Sequence, residues 1–416
     1  MNKYYSFSRV RALTPRSHLA VAAVAITLGT LTSCNNDSTP NLPPIVPIPN
    51  SIAVADLNGA PDLLVATTAD EGLAQNPGYA DVIMNSPGLP NGFQTGVHYS
   101  TTGTNPSSIA VADLTGAHGL VDIVIANFGS GSVSVFMHGA TSGTFDAAVD
   151  VPTGGQPNQV VIADLNGDGK PDLVLADMSA SGNAIVLIGD GTGKFGTPTK
   201  LSTGLTTPSV AVADLTGGSG PPAIVAATYD SAGNNGAVYI FYQDPNNRGT
   251  FGTPKIYPAG PQPQSVKIAD VNGDGRPDII VANLGPGGDG TGMAGVSVLL
   301  QNADGTFATP VTHPTPGQSI DVAVGDLTGT GKMDLVVANL LPVNTGSISV
   351  LLHDTLNPGN FGAATNYAAL GQPLSVVIRD LNNDARADIA VADGPSAGVL
   401  LQNADGSFAA ETQVGF

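Results

Sequence analysis

Residues 159–177 read QVVIADLNGDGKPDLVLAD. Two short runs of Val, Ile, Leu and Ala enclose a loop of Asp, Asn and Gly, a pattern that indicates two buried strands joined by a tight turn. The Asp that ends the first run recurs at Asp56, Asp113, Asp164, Asp214, Asp270, Asp326 and Asp380. A Phe that follows a short turn recurs at Phe93, Phe145, Phe195, Phe251, Phe307, Phe361 and Phe408. Because the two markers keep the same phase seven times, residues 51–416 contain seven copies of one unit.

Each copy predicts four strands. The first two flank the Asp-rich loop, the third resembles VSVLL at 296–300, and the fourth opens at the marker Phe, as in FGTPKIY at 251–257. No amphipathic helix is expected after residue 50. The prediction is an all-β, seven-bladed β-propeller of four-stranded antiparallel blades, with a linear solenoid as the alternative. The ring closes either by packing of blade one against blade seven or by pairing of part of segment 41–50 at an edge.

The N-terminus predicts an export signal. A basic leader precedes an apolar run from Leu19 to Leu31, which is too short to span a bilayer, and the run ends in Thr32-Ser33-Cys34. This order resembles the bacterial lipoprotein box, which implies a signal peptide over 1–33 and a lipidated Cys34. An ordinary signal with a chance Cys is the alternative. Residues 34–50 carry five Pro and predict a semi-rigid tether. We expect an exported protein, lipid-anchored to a bacterial membrane, at the outer membrane or cell surface.

The composition excludes some partners. The 416 residues carry a formal net charge of -19, and only 14 are Lys or Arg, so a nucleic-acid partner is excluded. The single Cys leaves no disulfide for an exported fold. Membrane contact is expected only through the lipid, and the protein is expected to be a monomer.

Three of the Asp-rich loops predict calcium sites. Alternate positions of a curved loop supply oxygen ligands, which suit a hard cation, and a backbone carbonyl serves at position seven. The expected ligands are Asp164, Asn166, Asp168, Lys170 and Asp172 in blade three, Asp270, Asn272, Asp274, Arg276 and Asp278 in blade five, and Asp380, Asn382, Asp384, Arg386 and Asp388 in blade seven. An EF-hand is excluded because no Glu stands at position twelve. The alternative is an Asp/Gly turn satisfied by its own backbone.

The other four loops are degenerate copies. Blade six keeps Asp326 and Asp334 and is a possible fourth, weaker site, while Ala223 makes blade four metal-free. Blades one and two have altered spacing. Because similar loops recur at equivalent places, the expected Ca²⁺ ions stabilise the fold and do not catalyse.

DLNGDGKPDLVLAD, DVNGDGRPDIIVAN and the ADGTF turns resemble FG-GAP/VCBS repeats. The family includes the propeller heads of integrin α subunits, sugar-binding propellers and many exported bacterial proteins. Over residues 51–416 the resemblance implies a seven-bladed propeller with calcium loops on one face and partners held on the other.

A candidate binding face lies opposite the calcium loops. The second strands end at polar residues expected to ring the channel mouth, and two tyrosines lie in or beside insertions on that face: Thr67, Asn127, Asp177, Thr228, Asn283, Asn339, Asp393, Tyr79 and Tyr229. Strand-end turn formation explains the polar residues equally well. No catalytic motif was found, so the predicted function is a non-enzymatic binding or adhesion module for a protein partner. A carbohydrate-binding propeller is the alternative, and a polysaccharide-cleaving enzyme using Glu71, Tyr79, Tyr229 and Asp289 ranks third.

Overall fold

The computed structural model of the chain describes residues 48–68, 77–86, 88–89, 92–116, 120–218, 220–230, 236–285, 294–342, 345–394 and 396–414. Seven four-stranded antiparallel sheets follow one another along the chain, and the strands of each sheet are consecutive except in blade four, where a small two-stranded hairpin is inserted before the fourth strand. The described residues contain no α-helix. The prediction of a seven-bladed β-propeller is therefore confirmed.

The strands have the following bounds, given blade by blade. Blade one contains β1 Ile48–Asp56, β2 Pro61–Thr68, β3 Pro77–Ile83 and β4 Val97–Thr104. Blade two contains β5 Pro106–Ala112, β6 Asp122–Asn127, β7 Ser132–Phe136 and β8 Val149–Pro152. Blade three contains β9 Pro157–Ala163, β10 Asp172–Asp177, β11 Asn183–Leu187 and β12 Thr199–Ser202. Blade four contains β13 Thr206–Ala213, β14 Ala223–Tyr229, β15 Gly236–Phe241 and β18 Lys255–Pro258, with the small hairpin β16 Gln243–Asp244 and β17 Asn247–Phe251. Blade five contains β19 Pro263–Ala269, β20 Asp278–Asn283, β21 Gly295–Leu299 and β22 Val311–Pro314. Blade six contains β23 Gln318–Gly325, β24 Asp334–Leu341, β25 Thr345–Leu351 and β26 Thr365–Ala369. Blade seven contains β27 Pro373–Arg379, β28 Asp388–Asp393, β29 Ser396–Leu400 and β30 Thr412–Val414.

The core lies between neighbouring blades. The second and third strands are buried on both faces, as in β10, where all six residues are buried. One face of blade three packs Leu173 and Leu175 against Val124 of blade two, and the other packs Val174 against Val210 of blade four. Burial on both faces explains why the interior of β10, from Leu173 to Ala176, is apolar at successive positions.

The marker Phe was predicted to open the fourth strand, and this boundary is wrong. Phe145 forms an isolated bridge with His138 inside the turn, and β8 begins only at Val149. The buried ring packs edge-on against Tyr99 of the preceding blade, with 5.5 Å between centroids. Phe307, Phe361 and Phe408 also pack edge-on against an aromatic ring of the preceding blade. In these copies the marker Phe fills the contact between two blades, where an edge-to-face aromatic pair adds to apolar burial.

A circle of hydrogen bonds joins the innermost strands. One polar side chain of each first strand faces the next blade, and in most interfaces it accepts a backbone N–H of that blade. The pairs are Ile109 to Ser51, Val160 to Ser108, Val210 to Gln159, Val266 to Ser209, Val376 to Asp321 and Ile52 to Ser375. Between blades five and six, Ser265 donates instead to Asp321 at 2.6 Å.

Blade one closes the ring against blade seven. Ile52 and Val65 share an apolar cluster with Ala392 and Val399, and the Asn85 amide donates to the Leu381 carbonyl at 2.6 Å. Over the described residues, no strand is shared between the two blades. Of the segment offered as an alternative closure, residues 48–50 pair with β2 inside blade one, so the first strand begins before the expected boundary at 51. Packing is therefore the closure that the described residues show.

Candidate functional site

The Asp-rich loops of blades three, five and seven share one conformation. In blade three, Asp164 accepts the backbone N–H groups of Gly167 at 2.7 Å and Gly169 at 2.8 Å. Asn166 then accepts the N–H of Asp168 at 2.8 Å, and Asp168 accepts that of Lys170 at 3.0 Å. These nested turns need left-handed residues, which are Gly167 and Gly169, with φ of 76° and 79°. The first, third and fifth side chains are thus bent back over the loop.

The other two loops repeat these contacts. Asp270 accepts from Gly273 and Gly275 at 2.7 and 2.8 Å, and Asp380 accepts from Ala385 at 2.8 Å. In blade seven, Asn383 and Ala385 adopt the left-handed conformation at φ of 59° and 66°. The blade-seven loop therefore keeps the shape without glycine, although left-handed backbone is costly for Ala.

The ninth loop position is a buried carboxylate in all three loops. Asp172 is fully buried and accepts two backbone N–H groups, from Leu165 at 2.9 Å and from Gly189 of the third strand's end at 2.8 Å. Burial raises the pKa of Asp172, the two N–H donors oppose the rise, and the charges of Asp168 and Asp164 add to it. For Asp278 the same causes raise the pKa to about 6. The loops therefore hold mutually repelling carboxylates that a cation would relieve.

The same carboxylate bridge occurs where the loop is degenerate. Asp62, Asp122 and Asp334 are fully buried, and each accepts the N–H of the second loop residue and that of the third strand's end. The last Asp of the loop, at the ninth position or its equivalent, is thus a structural bridge in six blades, whatever else it binds. Sequence reasoning treated it only as a ligand and missed this role.

Cationic side chains lie beside the fifth position. Arg276 contacts Asp274, Arg386 contacts Asp384, and Lys170 Nζ lies 3.9 Å from Asp168 Oδ2. Each Arg also donates through Nε to a carbonyl at the end of the third strand, Gln301 or Gln402. Among the described residues, no three Asp, Glu, His or Cys side chains converge as a ready-made metal cluster. The donor set is nevertheless all oxygen, and each carboxylate oxygen that accepts one N–H keeps a second lone pair, so the residues fit a hard cation.

The loop of blade six has the same backbone turn with fewer charges. Asp326 accepts from Gly331 at 2.6 Å and from Thr328 and Thr330 at 3.1 Å. The two Thr hydroxyls lie 2.9 Å apart where the loops of blades three, five and seven have Asn and Asp. Fewer carboxylates predict weaker cation binding.

The polar strand ends expected to ring the channel mouth are buried. All seven side chains are at most 1% exposed: Thr67, Asn127, Asp177, Thr228, Asn283, Asn339 and Asp393. Asp177 accepts from Gln156 and Ser179 of the covering backbone and from the Asn183 amide, and these bonds lower its pKa despite burial. The structure corrects their expected placement at the surface. These side chains form hydrogen bonds with neighbouring strands and turns, so a partner cannot reach them in this structure.

The two tyrosines also differ from a surface platform. Tyr79 is half-buried, and its ring centroid lies 5.7 Å from that of His98. Tyr229 ends β14, and burial raises its pKa while a hydrogen bond with Gln264 opposes the rise. The two are carried by different blades. Cys34, Glu71 and Asp289 lie outside the described residues.

Sequence reasoning missed an Asp–His pair in blade one. Asp81 is fully buried, accepts the Thr67 hydroxyl at 2.6 Å and contacts Nδ1 of His98, whose side chain is 44% exposed. Burial raises the pKa of Asp81, and the bonds from Thr67 and His98 oppose the rise. The equivalent residues in blade three are Ile185 and Lys200, so the pair departs from the repeat. The signal is visible only when β3 and β4 are aligned in register.

Comparison with known proteins begins with the repeat. A family described as FG-GAP-like repeat matches residues 117–175, 164–217, 222–281 and 284–337, which together cover more than half of the chain. The chain belongs to the FG-GAP-like repeat family. No curated protein matches its sequence.

Two solved bacterial structures share the propeller fold. One, from Bacteroides fragilis, has a TM-score of 0.57 at 17% identity over 91% of this chain and 98% of its own. The other, from Bacteroides uniformis, has a TM-score of 0.55 at 16% identity over 83% of this chain and 94% of its own. Each is described as "a putative 6-phosphogluconolactonase". At these identities the likeness shows the fold alone.

These names correct the functional prediction. Adhesion to a protein partner was argued from the fold and from a binding face, but the same fold occurs in proteins named as an enzyme, and the seven strand-end residues of that face are buried. The prediction of a binding or adhesion module is wrong. The prediction that the chain is not an enzyme conflicts with the same names.

Proposed function

We propose that this chain is an exported, calcium-binding β-propeller in which the loops of blades three, five and seven each hold one Ca²⁺ ion. The observation that supports this proposal is that three loops with Asp, Asn, Asp and Asp at matching positions adopt the same nested turns. Side-chain oxygens of the first, third, fifth and ninth residues and the seventh carbonyl would hold the ion. Bound calcium neutralises the carboxylates, and at a hundredfold excess over Kd each site would stabilise the fold by about 2.7 kcal/mol.

Titration calorimetry of the purified protein after chelation tests this proposal. About three ions should bind, with a weaker fourth at Asp326 and Asp334 of blade six. Asp270→Asn should remove one ion and lower the calcium-dependent rise in Tm by about a third.

Asp214→Asn in blade four is the matched control. Asp214 also accepts loop N–H groups, from Gly218 and Gly220 at 3.0 Å, but Ala223 replaces the ninth Asp. It should leave the number of bound ions unchanged. Absence of binding heat, or equal loss of ions in both variants, would contradict calcium binding by these loops.

The anchor is proposed separately, on the Leu31-Thr32-Ser33-Cys34 sequence. Cys34→Ser should move the protein from the membrane fraction to the soluble fraction and abolish labelling by a fatty-acid analogue. Membrane retention of the variant would refute the lipid anchor. Among the described residues, no helix is long and apolar enough to cross a membrane.

A second candidate function is hydrolysis of a sugar lactone, favoured by the names of the two similar structures and by the Asp81–His98 pair. A buried carboxylate that orients a solvent-facing imidazole is an arrangement suited to general-base catalysis. His98 would take a proton from water as the water attacks the carbonyl carbon. The ring C–O bond then breaks, and the imidazolium returns the proton to the leaving oxygen.

Hydrolysis of a sugar δ-lactone by the purified protein tests this candidate. His98→Asn should lower kcat/KM by at least about 100-fold. The control is His138→Asn, because His138 Nδ1 also contacts a buried carboxylate, Asp122 at 2.7 Å, but on the calcium-loop side of blade two. Lactone loss no faster than in buffer would eliminate this candidate.

A further inference from the structure

Two acidic side chains meet inside blade seven without a cationic partner. Asp393 ends β28 and is 1% exposed, and Glu411 precedes β30 and is 9% exposed. Asp393 Oδ1 and Glu411 Oε1 are both buried and have no hydrogen-bond donor, and the nearby Ser396 Oγ is likewise unpartnered. The two carboxylates accept the N–H groups of the adjacent residues Leu370 and Gly371 and interact directly with each other. Two buried carboxylates in such contact cannot both stay ionised at low cost.

The surrounding backbone is shaped for this pair. A Cβ on Gly398 would lie 1.8 Å from Glu411 Oε1, and a Cβ on Gly371 would lie 2.8 Å from Asp393 Oδ1. Other blades carry a side chain at the position of Gly398, such as Asp81 in blade one and Ser349 in blade six. Glu411 therefore occupies space that only blade seven leaves empty.

The pair holds the connector that leads from blade six into blade seven. The N–H of Leu370 donates to Glu411 Oε2 at 3.0 Å, and the N–H of Gly371 donates to Asp393 Oδ2 at 2.7 Å. Glu411 also adjoins the three-residue strand β30, which pairs only with β29. The pair thus ties the connector to the last strand of the described chain.

We propose that Asp393 and Glu411 form a proton-binding site, in which one shared carboxylic proton holds the 370–372 connector and β30 in place. Removal of that proton leaves two like charges in contact, and Glu411 leaves its position beside Gly398. The outer edge of blade seven then opens locally while the other blades stay closed.

The direction of the pH dependence follows from the electrostatics of the pair. Burial, and then the charge of Asp393, raise the pKa of Glu411 to about 7, while the N–H of Leu370 opposes the rise. Burial also raises the pKa of Asp393. Because the closed state holds the proton more tightly than the open state, closure is favoured at low pH and is lost as pH rises through about 7.

Among the described residues, Asp393 is the charged group that raises the pKa of Glu411. The described parts of β28, β29, β30 and the connector place no Lys, Arg or His against the pair. On the blade-six side, β25 has no ionisable residue, and Tyr367 of β26 packs edge-on against Phe408, with centroids 5.6 Å apart. Asp388 lies at the opposite end of β28.

Hydrogen exchange of single amides tests the site, with rates corrected for intrinsic exchange and calcium held constant. Between pH 5 and pH 8, the protection factors of Leu370 and Gly371 should fall on the order of 100-fold, as the difference between an ordinary Glu pKa and one near 7 requires. Gln156 is the matched control, because its N–H donates at 2.9 Å to Asp177, the equivalent of Asp393 in blade three. Its protection should stay constant.

Two variants distinguish the effect of losing the shared proton from the effect of altered packing. Glu411→Gln keeps the shape, can donate to Asp393 and cannot ionise, so the protection of Leu370 should become independent of pH. Gly398→Ala should expel Glu411 and give low protection already at pH 5. The proposal is overturned if Leu370 loses protection with pH equally in Glu411→Gln, or if Gln156 loses it in parallel with Gly371.

Discussion

Asn85→Ala should open the propeller at its one interface without chain continuity. The Asn85 amide donates to the carbonyls of Leu381 in blade seven, at 2.6 Å, and Pro61 in its own blade, at 3.1 Å. Asn85 is only 8% exposed, so its removal leaves carbonyls without a donor. A buried unsatisfied acceptor costs about 1–3 kcal/mol, so we expect a loss of about 2–6 kcal/mol for the two.

The matched control is Gln301→Ala. Gln301 occupies the same position in blade five and donates at 2.9 Å to the Leu215 carbonyl of blade four. Its loss should cost about 1–3 kcal/mol. Blades four and five remain covalently joined, so the ring cannot open there.

Urea unfolding distinguishes the two changes. Gln301→Ala should lower the midpoint and leave the m-value unchanged, whereas Asn85→Ala should lower both, because a ring that opens first unfolds in more than one step. Equal m-values and equal free-energy losses in the two variants would refute the view that packing of blade one on blade seven limits stability.

Three further predictions concern stability. Leu175→Ala, at a fully buried site between blades two and three, should cost about 2–5 kcal/mol in urea unfolding, whereas Leu356→Ala, at a site 86% exposed, should stay within about 0.5 kcal/mol. Gly182→Ala should destabilise the protein far more than Gly204→Ala. Both glycines have positive φ, but only at Gly182 would the new Cβ lie 1.5 Å from a carbonyl oxygen, that of Leu205. Equal losses of Tm in the two variants would contradict this prediction. The pKa of Asp278 is raised to about 6, so in chelator its contribution to stability should fall by up to about 3 kcal/mol as pH rises from about 4 to about 6. Asp278→Asn should remove this dependence of the unfolding free energy on pH. If the variant keeps the wild-type pH dependence, another group titrates.

The fold could be predicted because the same four-stranded unit recurs seven times in the sequence. An Asp after each first strand and a Phe in each third turn set the register of all copies, and the unbroken apolar strands required burial on both faces. The start of the fourth strand could not be predicted. Phe145 is a tertiary contact between blades, and no local propensity places the strand four residues beyond it.

The sequence predicted tightly curved loops, which the structure shows, but calcium binding stays a prediction and the bridging role of the ninth Asp was not predicted. The Asp and Gly spacing gave the nested turns, but Asp172 also bridges the loop to Gly189 at the end of the third strand. That bond joins residues 17 apart through a sheet register that a linear pattern does not contain. The same limit explains the polar strand ends: Asp177 has the sequence of an exposed turn, yet connector backbone covers it.

The two off-repeat clusters show where chemistry can depart from a repeat without breaking it. Asp81 contacts His98 in blade one, and Asp393 meets Glu411 in blade seven; each pair joins a strand of the sheet to the chain at or just before the outer strand. A single buried Asp at the end of a second strand can be satisfied by the repeat itself, as Asp177 is in blade three. Asp81 is instead accompanied by His98 across the sheet, and Glu411 by the absence of a side chain at Gly398. Such compensated changes are invisible when copies are compared one position at a time. They become visible when residues are compared as cross-strand partners, and the two blades that carry them are those that close the ring.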